Sequence, residues 1–319
     1  MRARALTDRL ALTEVGFGAA CLGNLYSAIS DEQSEACVDA AWDAGIRYFD
    51  TAPHYGLGLS ERRLGRALAG RPRDEFTLST KVGRLLVPRL PPLPRDDDMF
   101  DVPGDLDRVW DFSAGGIRRS IEESLTRLGL DHIDIAYLHD PDVSAVPGAL
   151  ADGLEALLTL RAEGLVTAVG VGTNDPATVV AAFADYDIDT AMLAGRYTLL
   201  REAGFAGVVA AAAGRPVVLA GVFNSGILAR EEVPADATLD YLAAPADVVD
   251  RARRIAALAA QNGTTLPALA IQHGLRHPAT ASVVLGMSSP EQVAQNVARY
   301  GEAVPPQVWA ELGEVAPPR

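Results

Sequence analysis

Ile46-Arg47-Tyr48-Phe49-Asp50-Thr51-Ala52-Pro53-His54-Tyr55-Gly56 passes from a short apolar run to a carboxylate, then through a Pro-containing turn to a tyrosine. An apolar run bounded by turn formers reads as a buried strand, here over 46–50 with Asp50 at its end. The same grammar recurs downstream. Phe76-Thr77-Leu78-Ser79-Thr80-Lys81 ends on a lysine, and Ile133-Asp134-Ile135-Ala136-Tyr137-Leu138-His139 ends on a histidine. Further strand-like runs lie at 15–20, 168–172, 190–193, 216–220 and 282–285.

Longer amphipathic stretches separate these runs. Ser30 with Asp31 supplies an N-cap for a helix over 32–44, which Gly45 ends. Helical patterns follow at 60–69, 113–128 (with Gly129 as stop), 147–162, 176–184, 201–213 and 245–261, and another helix starts near Pro290. Strand then helix, repeated about eight times, implies parallel strands joined by right-handed crossovers. The predicted fold is α/β, a (β/α)8 TIM barrel, with one domain over 1–319 and no internal repeat or linker. The carboxyl ends of barrel strands form the catalytic face, so Asp50, Lys81 and His139 are expected at one rim.

The rhythm breaks over 84–112. This stretch carries Pro88, Pro91, Pro92, Pro94 and Pro103 and the acidic run Asp96-Asp97-Asp98. Phe100, Trp110 and Phe112 are costly to leave in water. That favours a long loop covering the substrate over a disordered one.

Taken singly, each polar residue has an ordinary use. A strand-end aspartate caps a turn, a lysine is solvated, a histidine sits satisfied in a core, and a tyrosine beside glycine is a loop residue. Together they have a coherent job. Lys81 would lower the Tyr55 phenol from its ordinary pKa of ~10. Asp50 would hold Lys81 charged, and His139 would hydrogen-bond the substrate oxygen. Tyr55 would then exchange a proton during carbonyl–alcohol interconversion. A metal-dependent barrel hydrolase is the competing enzyme, because His139-Asp140-Pro141-Asp142 offers ligand atoms. No His-x-His follows the first strand, and His54, His132, His273 and His277 lack ligand spacing, so no metal is expected. Gly16-Phe17-Gly18-Ala19-Ala20-Cys21-Leu22-Gly23 lacks the third glycine and the helix of a dinucleotide fingerprint.

The run Phe49 to Gly56, followed by Ser60-Glu61-Arg62-Arg63-Leu64-Gly65, resembles the signature of the aldo-keto reductase superfamily. Ser79-Thr80-Lys81, Leu138-His139-Asp140 and Gly172-Thr173-Asn174 fall in the expected order, and the resemblance covers nearly the whole chain. It implies that Asp50, Tyr55, Lys81 and His139 are the catalytic tetrad. His54, Trp110 and Phe112 would join His139 towards the substrate. Thr173 and Asn174 would hold the nicotinamide carboxamide beside Asp50, and Asn224, Ser225 and Gly226 the pyrophosphate.

Gly286-Met287-Ser288-Ser289-Pro290-Glu291-Gln292 opens the last helix, and amides at a helix N-terminus bind anions. The resemblance places the adenosine end there, with Ser288 alongside and Asn296 at the adenine. Members that prefer NADP carry Lys and Arg where this chain has Gly286 and Gln292, which implies NAD as the preferred cofactor over NADP. Ala194 and Ala220 stand where a glutamine and a nicotinamide-stacking aromatic are common.

The stretches 193–200 and 221–228 resemble a group of sugar dehydrogenases acting on L-fucose, D-threo-aldose or L-galactose, to which pyridoxal dehydrogenase is also similar. The implied reaction is oxidation of an aldose hemiacetal at C1 to a lactone. Pyridoxal oxidation, general aldehyde or ketone reduction, and a redox-sensing auxiliary subunit are the alternatives.

Bulk composition agrees. A net charge of −14 and the lack of a Lys/Arg run disfavour nucleic acid and anionic membranes. Cys21 and Cys37 are the only cysteines, which suits a reducing compartment. Residues 1–12 lack a signal-peptide core, and no run approaches the ~20 apolar residues of a span. A cytoplasmic monomer or homodimer acting on a small carbonyl or sugar is expected.

Overall fold

A computed structural model describes residues 1–240 and 242–315. The strands are β1 (Ala3–Ala5), β2 (Ala11–Thr13), β3 (Val15–Gly18), β4 (Tyr48–Asp50), β5 (Thr77–Val82), β6 (Arg84–Leu93), β7 (Gly104–Trp110) and β8 (Ile133–His139). They continue with β9 (Val166–Thr173), β10 (Thr190–Ala194), β11 (Val217–Ala220), β12 (Thr238–Leu239), β13 (Leu242–Ala243) and β14 (Thr280–Gly286). The helices are α1 (Asp31–Asp43), α2 (Leu59–Leu68), α3 (Ala114–Leu128), α4 (Ala149–Ala162) and α5 (Pro176–Asp185). The rest are α6 (Phe205–Ala212), α7 (Ala246–Gln261), α8 (Leu266–Arg276), α9 (Pro290–Gly301) and α10 (Pro306–Val315).

Eight strands close into a barrel in the order β3-β4-β5-β8-β9-β10-β11-β14, every pair parallel. The expected strands are these eight. Side chains two apart share a face of a strand. Tyr48, Ile135, Tyr137, Ala168, Met192, Val218 and Val284 therefore fill the barrel interior. Phe17, Phe49, Leu78, Ala136 and Leu138 belong to the separate layer packed under the helices. The interior has little slack: a Cβ added at Gly16 would lie 2.7 Å from Tyr48 Cδ1.

Several elements escape the sequence reading. β1 and β2 pair antiparallel, and Leu6 and Leu12 join Ile135 and Ala281 in the interior cluster, closing the amino end of the barrel. Their sequence alternates with the strand period, but in pieces of only three residues. α8 is buried nearly all round, through Leu266, Ala268, Leu269, Ala270, Ile271 and Leu275, so it shows no polar stripe to mark it as a helix. α10 is a short helix after α9.

The stretch 84–112 also departs from expectation. In place of a long irregular loop, β6 and β7 form an antiparallel ribbon, with Arg84 opposite Trp110 and Val87 opposite Asp107. Arg84-Leu85-Leu86-Val87 and Leu106 to Trp110 have strand composition, and a two-stranded ribbon tolerates Pro88, Pro91 and Pro92 because its outer edges need no ladder partner. Two members of the acidic run are paired with arginines and the third faces a histidine ring. Asp96 pairs with Arg108 at 2.6 Å, Asp97 pairs with Arg89 at 2.7 Å, and Asp98 Oδ2 lies 3.6 Å from His54 Nε2. The ribbon is fastened to the turn after β3 by a Leu25–Phe100 bridge and by Asp101 N donating to Asn24 O at 2.9 Å.

Four residues of the segment that opens α2 have identifiable tasks. Ser60 Oγ donates to Ala19 O at 2.7 Å. Buried Glu61 accepts from Thr80 Oγ1 at 2.7 Å and from Arg127 Nε. Arg63 reaches Leu22 O, Asn24 Oδ1, Ile29 O and Asp31 Oδ1, each at 2.7–2.8 Å. Gly65 lets α2 lie against the end of α3, because a Cβ there would sit 2.1 Å from Leu128 O. The obstacle is backbone, so it has little room to yield. Gly65→Ala should therefore destabilise the fold by about 1–3 kcal/mol, read from the midpoint of urea unfolding. An unchanged midpoint would mean that α2 and α3 can separate freely.

Candidate active site

β4, β5 and β8 are neighbours, so Asp50, Lys81 and His139 reach the carboxyl rim side by side. Lys81 Nζ donates to Asp50 Oδ2 at 2.7 Å and to Thr51 O at 3.0 Å. Ser79, two residues before Lys81 on the same face, donates its hydroxyl to Asp50 Oδ1 at 2.7 Å. Tyr48 OH lies 3.0 Å from Ser79 Oγ and 3.4 Å from Tyr137 OH. The pair is almost sealed from water, with side chains 3% and 4% exposed. Buried charges are tolerated when paired and hydrogen-bonded, and Ser79 and Thr51 complete that requirement.

Tyr55 is held over this pair by the turn after β4. Gly56 follows with φ +60°, and a Cβ there would meet Gly23 O at 2.2 Å. Only glycine allows that contact, which presses the turn onto the segment after β3. Lys81 Nζ lies 4.8 Å from the centre of the Tyr55 ring. The ring stands edge-on to His139 at 6.0 Å and beside Phe100 of the ribbon at 6.0 Å. Tyr55 stays partly exposed at the barrel rim.

The electrostatics are those of a dry site. Burial alone would lower the Lys81 pKa, but Asp50 and then Tyr55 outweigh it, so the ammonium is held above its ordinary value. Burial pushes the Tyr55 phenol up, Lys81 pulls it down, and the net displacement is upward. The sequence reading expected a net fall. Lys81 acts in the expected direction, but desolvation of the phenolate is larger. Burial, reinforced by Arg84, Lys81 and His54, drives His139 well below the ordinary histidine range, so it is a neutral imidazole at neutral pH. His54 is likewise neutral, pushed down to about 2 by burial and by Arg84, Arg108 and Lys81.

Among residues expected towards a substrate, His54 packs edge-on against Phe100 and His139 at 5.3 and 5.6 Å. Trp110 is half-buried, with the Arg84 guanidinium 4.3 Å from its ring centre. Phe112 is 2% exposed and stacked behind Trp110 at 5.5 Å, so it supports that ring and does not face the cleft. The sequence reading did not single out Arg84, weighed Asp140 only as a metal-ligand type, and quoted Ser79 only as part of a motif. Strand alternation could have flagged Ser79, whereas Arg84 depends on the ribbon that the reading took for a loop.

The residues expected to hold a cofactor stand at the ends of β9, β11 and β14, on the same rim. Thr173 Oγ1 donates to Asp142 Oδ1 at 2.6 Å, and Asn174 is exposed. Asn224 is buried with φ +46°; its Nδ2 donates to Gly195 O at 3.3 Å while its Oδ1 has no protein partner. Ser225 and Gly226 also have positive φ, and nothing crowds the position of a Cβ at Gly226. A buried amide with an unmatched oxygen beside open backbone suits a polar, extended ligand. Gly286 is exposed at the end of β14, and Ser288 N and Oγ donate to Gln292 Oε1 at 2.9 and 3.1 Å. Asn296 is buried on α9, where Arg299 approaches its Oδ1 at 3.5 Å.

The chain matches the Aldo/keto reductase family over residues 14–317. It is 48% identical over 310 residues to D-threo-aldose 1-dehydrogenase of a Pseudomonas species, covering 96% of this chain and 94% of that protein. It is 36% identical over 324 residues to pyridoxal 4-dehydrogenase of Microbacterium luteolum, covering 95% and 94%. Its fold matches the holo form of an aldo-keto reductase from Bacillus halodurans with a TM-score of 0.77 at 27% identity, covering 99% and 96%.

Lys81→Met removes the charge that draws the Tyr55 phenol down while leaving burial in place. In any reaction that needs Tyr55 deprotonated, the rising limb of the pH–rate profile should then move to higher pH. A limb that keeps its position at reduced amplitude would show that the lysine only shapes the site.

Proposed function

The chain belongs to the aldo/keto reductase family, and from that premise we propose that it oxidises the cyclic hemiacetal of an aldose at C1, giving a lactone, with NAD+ as the preferred acceptor. The observation that carries the chemistry is partly exposed Tyr55 at the barrel rim, above the buried Lys81–Asp50 pair and beside neutral His139. Identity to a D-threo-aldose 1-dehydrogenase supports the substrate class. The likeness to a pyridoxal 4-dehydrogenase makes pyridoxal the second substrate to assay.

In the general-base step Tyr55 acts as its phenolate, the form that Lys81 favours, and takes the proton of the anomeric hydroxyl as the C1–O bond gains double-bond character. A nicotinamide dinucleotide, when bound, supplies the acceptor for the hydride that leaves C1. Lys81 stabilises negative charge on the phenol oxygen, and Asp50 with Ser79 keeps that ammonium charged and aimed. His139, being neutral, offers an N–H to the substrate oxygen without competing for the proton. Phe100 and Trp110 bring the ribbon over the cleft, and we assign 84–112 the role of covering the substrate and excluding water.

Thr173 and Asn174 are assigned to the carboxamide, and Asn224, Ser225 and Gly226 to the pyrophosphate. Gly286, Ser288, Gln292 and Asn296 are assigned to the adenosine end. NAD+ is favoured because Gly286 has no side chain and Gln292 is folded back onto Ser288, leaving both positions without a cation for a 2′-phosphate. Arg276 is stacked on Trp309 at 4.5 Å; Arg299 donates to Ala229 O at 3.4 Å and to Asn296 Oδ1 at 3.5 Å, so it is a cation beside the adenosine end.

Tyr55→Phe should lower kcat for aldose oxidation by about 10²–10⁴-fold while nicotinamide affinity by fluorescence titration stays within a few-fold. Near wild-type turnover would remove Tyr55 from the mechanism. Wild-type kcat/KM should favour NAD+ over NADP+. Gly286→Lys with Gln292→Arg should move that ratio towards NADP+ by roughly 10²-fold, the value of one or two charge-assisted hydrogen bonds. A wild-type preference for NADP+ would defeat the cofactor assignment and leave the proton chemistry standing.

A further inference from the structure

Two charged residues lie next to the reacting groups without a direct role in the mechanism above, where Arg84 enters only by helping to keep His139 neutral. Arg84 is three residues beyond Lys81, and Asp140 directly follows His139. Arg84 Nη2 donates to Asp140 Oδ2 at 2.7 Å, and the same oxygen lies 3.4 Å from His139 Nε2. The guanidinium is thus one carboxylate away from the imidazole. Its other face is covered by the Trp110 ring at 4.3 Å. The Arg84 and Asp140 side chains are mostly buried yet retain 12% and 22% of their exposure.

Fastening the ribbon does not account for this pair. The Leu25–Phe100 bridge, the Asn24–Asp101 bonds and Arg108, which donates to His54 O at 3.1 Å, already do that. Two further features set the pair apart. Asp140 adopts φ +45°, a left-handed conformation costly for a residue with a Cβ. The turn it makes aims its carboxylate at both His139 and Arg84. Arg84 Nε is buried with no hydrogen-bond partner. A guanidinium carries five N–H donors in a fixed fork, and Asp140 takes only part of that capacity.

We propose that Arg84 and Asp140 form a clamp for the hydroxyl groups on the ring carbons next to the reacting carbon, with Trp110 as the flat wall for the apolar face of the ring. This rests on the reading of the chain as an aldose dehydrogenase. The chemical fit is direct. Neighbouring hydroxyls each donate and accept, and a guanidinium beside a carboxylate offers donors and an acceptor at the same spacing. The clamp sits on the two segments that carry Lys81 and His139, so a ring held by it presents the adjoining carbon to Tyr55. Arg84 and Asp140 are therefore specificity-determining residues. They select a polyhydroxylated ring over a bare one.

The test compares an aldopyranose such as L-fucose with 2-hydroxytetrahydropyran, a cyclic hemiacetal that undergoes the same oxidation but carries no other hydroxyl. The wild-type enzyme should prefer the sugar. In Arg84→Met that preference, as the ratio of the two kcat/KM values, should shrink by about 10- to 100-fold, mainly through KM for the sugar, as expected for a lost charge-assisted bond. Asp140→Asn should shrink it in the same direction, and Arg84→Lys should retain part of it. Arg108→Met, which loosens the ribbon elsewhere, should lower the thermal midpoint and keep the ratio. If Arg84→Met and Asp140→Asn depress both substrates equally, the pair is structural and the clamp is refuted. A wild-type enzyme that oxidises neither hemiacetal refutes the aldose reading itself, and one that oxidises both without preference refutes the clamp alone.

Discussion

The buried pair of Lys81 and Asp50 is the constraint around which the rest of the site is arranged. Two opposite charges almost without solvent are stable only if their remaining hydrogen-bonding capacity is met. Ser79 and the Thr51 carbonyl meet it, and Tyr48 and Tyr137 extend the polar layer downwards into the barrel. The closed sheet supplies the geometry, because three neighbouring parallel strands end on the same rim with side chains in step. With this pair fixed, Tyr55 has a cation beneath it, and His139 is pressed to neutrality partly by the same ammonium. A proton-transfer group and a neutral hydrogen-bond donor then follow from one placement of charge.

Desolvation and charge act against each other on Tyr55. The cleft that strengthens every electrostatic contact also raises the phenol. A sequence names the charges near a residue but not the depth of its pocket. That is why the sign of the Lys81 effect was legible and the net displacement was not. The same limit applies to Phe112, whose aromatic ring suggested a substrate contact but which lies behind Trp110.

The barrel was legible because the strands are short apolar runs, those around the site with a polar residue at or near the end, and several helices carry a side-chain cap or a glycine stop. Asp50, Lys81 and His139 could be placed on one rim from those endings alone. Less could be read where tertiary contacts decide the conformation. β1 and β2 are held by the barrel they plug, α8 is enclosed on nearly all sides, and the ribbon of β6 and β7 is anchored to residues up to about eighty positions away, such as Asn24 with Asp101. Arg84 was out of reach for the same reason, since its meaning lies in Asp140 and Trp110, which only the ribbon brings to it.

The central claim is that Tyr55 takes the hydroxyl proton while hydride leaves the anomeric carbon of a cyclic sugar. Deuterium at C1 reports on it most directly. The wild-type enzyme would be given a [1-²H]aldose and NAD+, and the products analysed by NMR. The account predicts a sugar lactone without deuterium at C1 and one deuterium on the nicotinamide ring for each lactone formed, with Tyr55→Phe accumulating neither at a comparable rate. Label released to water, a ketose or alditol in place of the lactone, or undiminished lactone formation by Tyr55→Phe would contradict it.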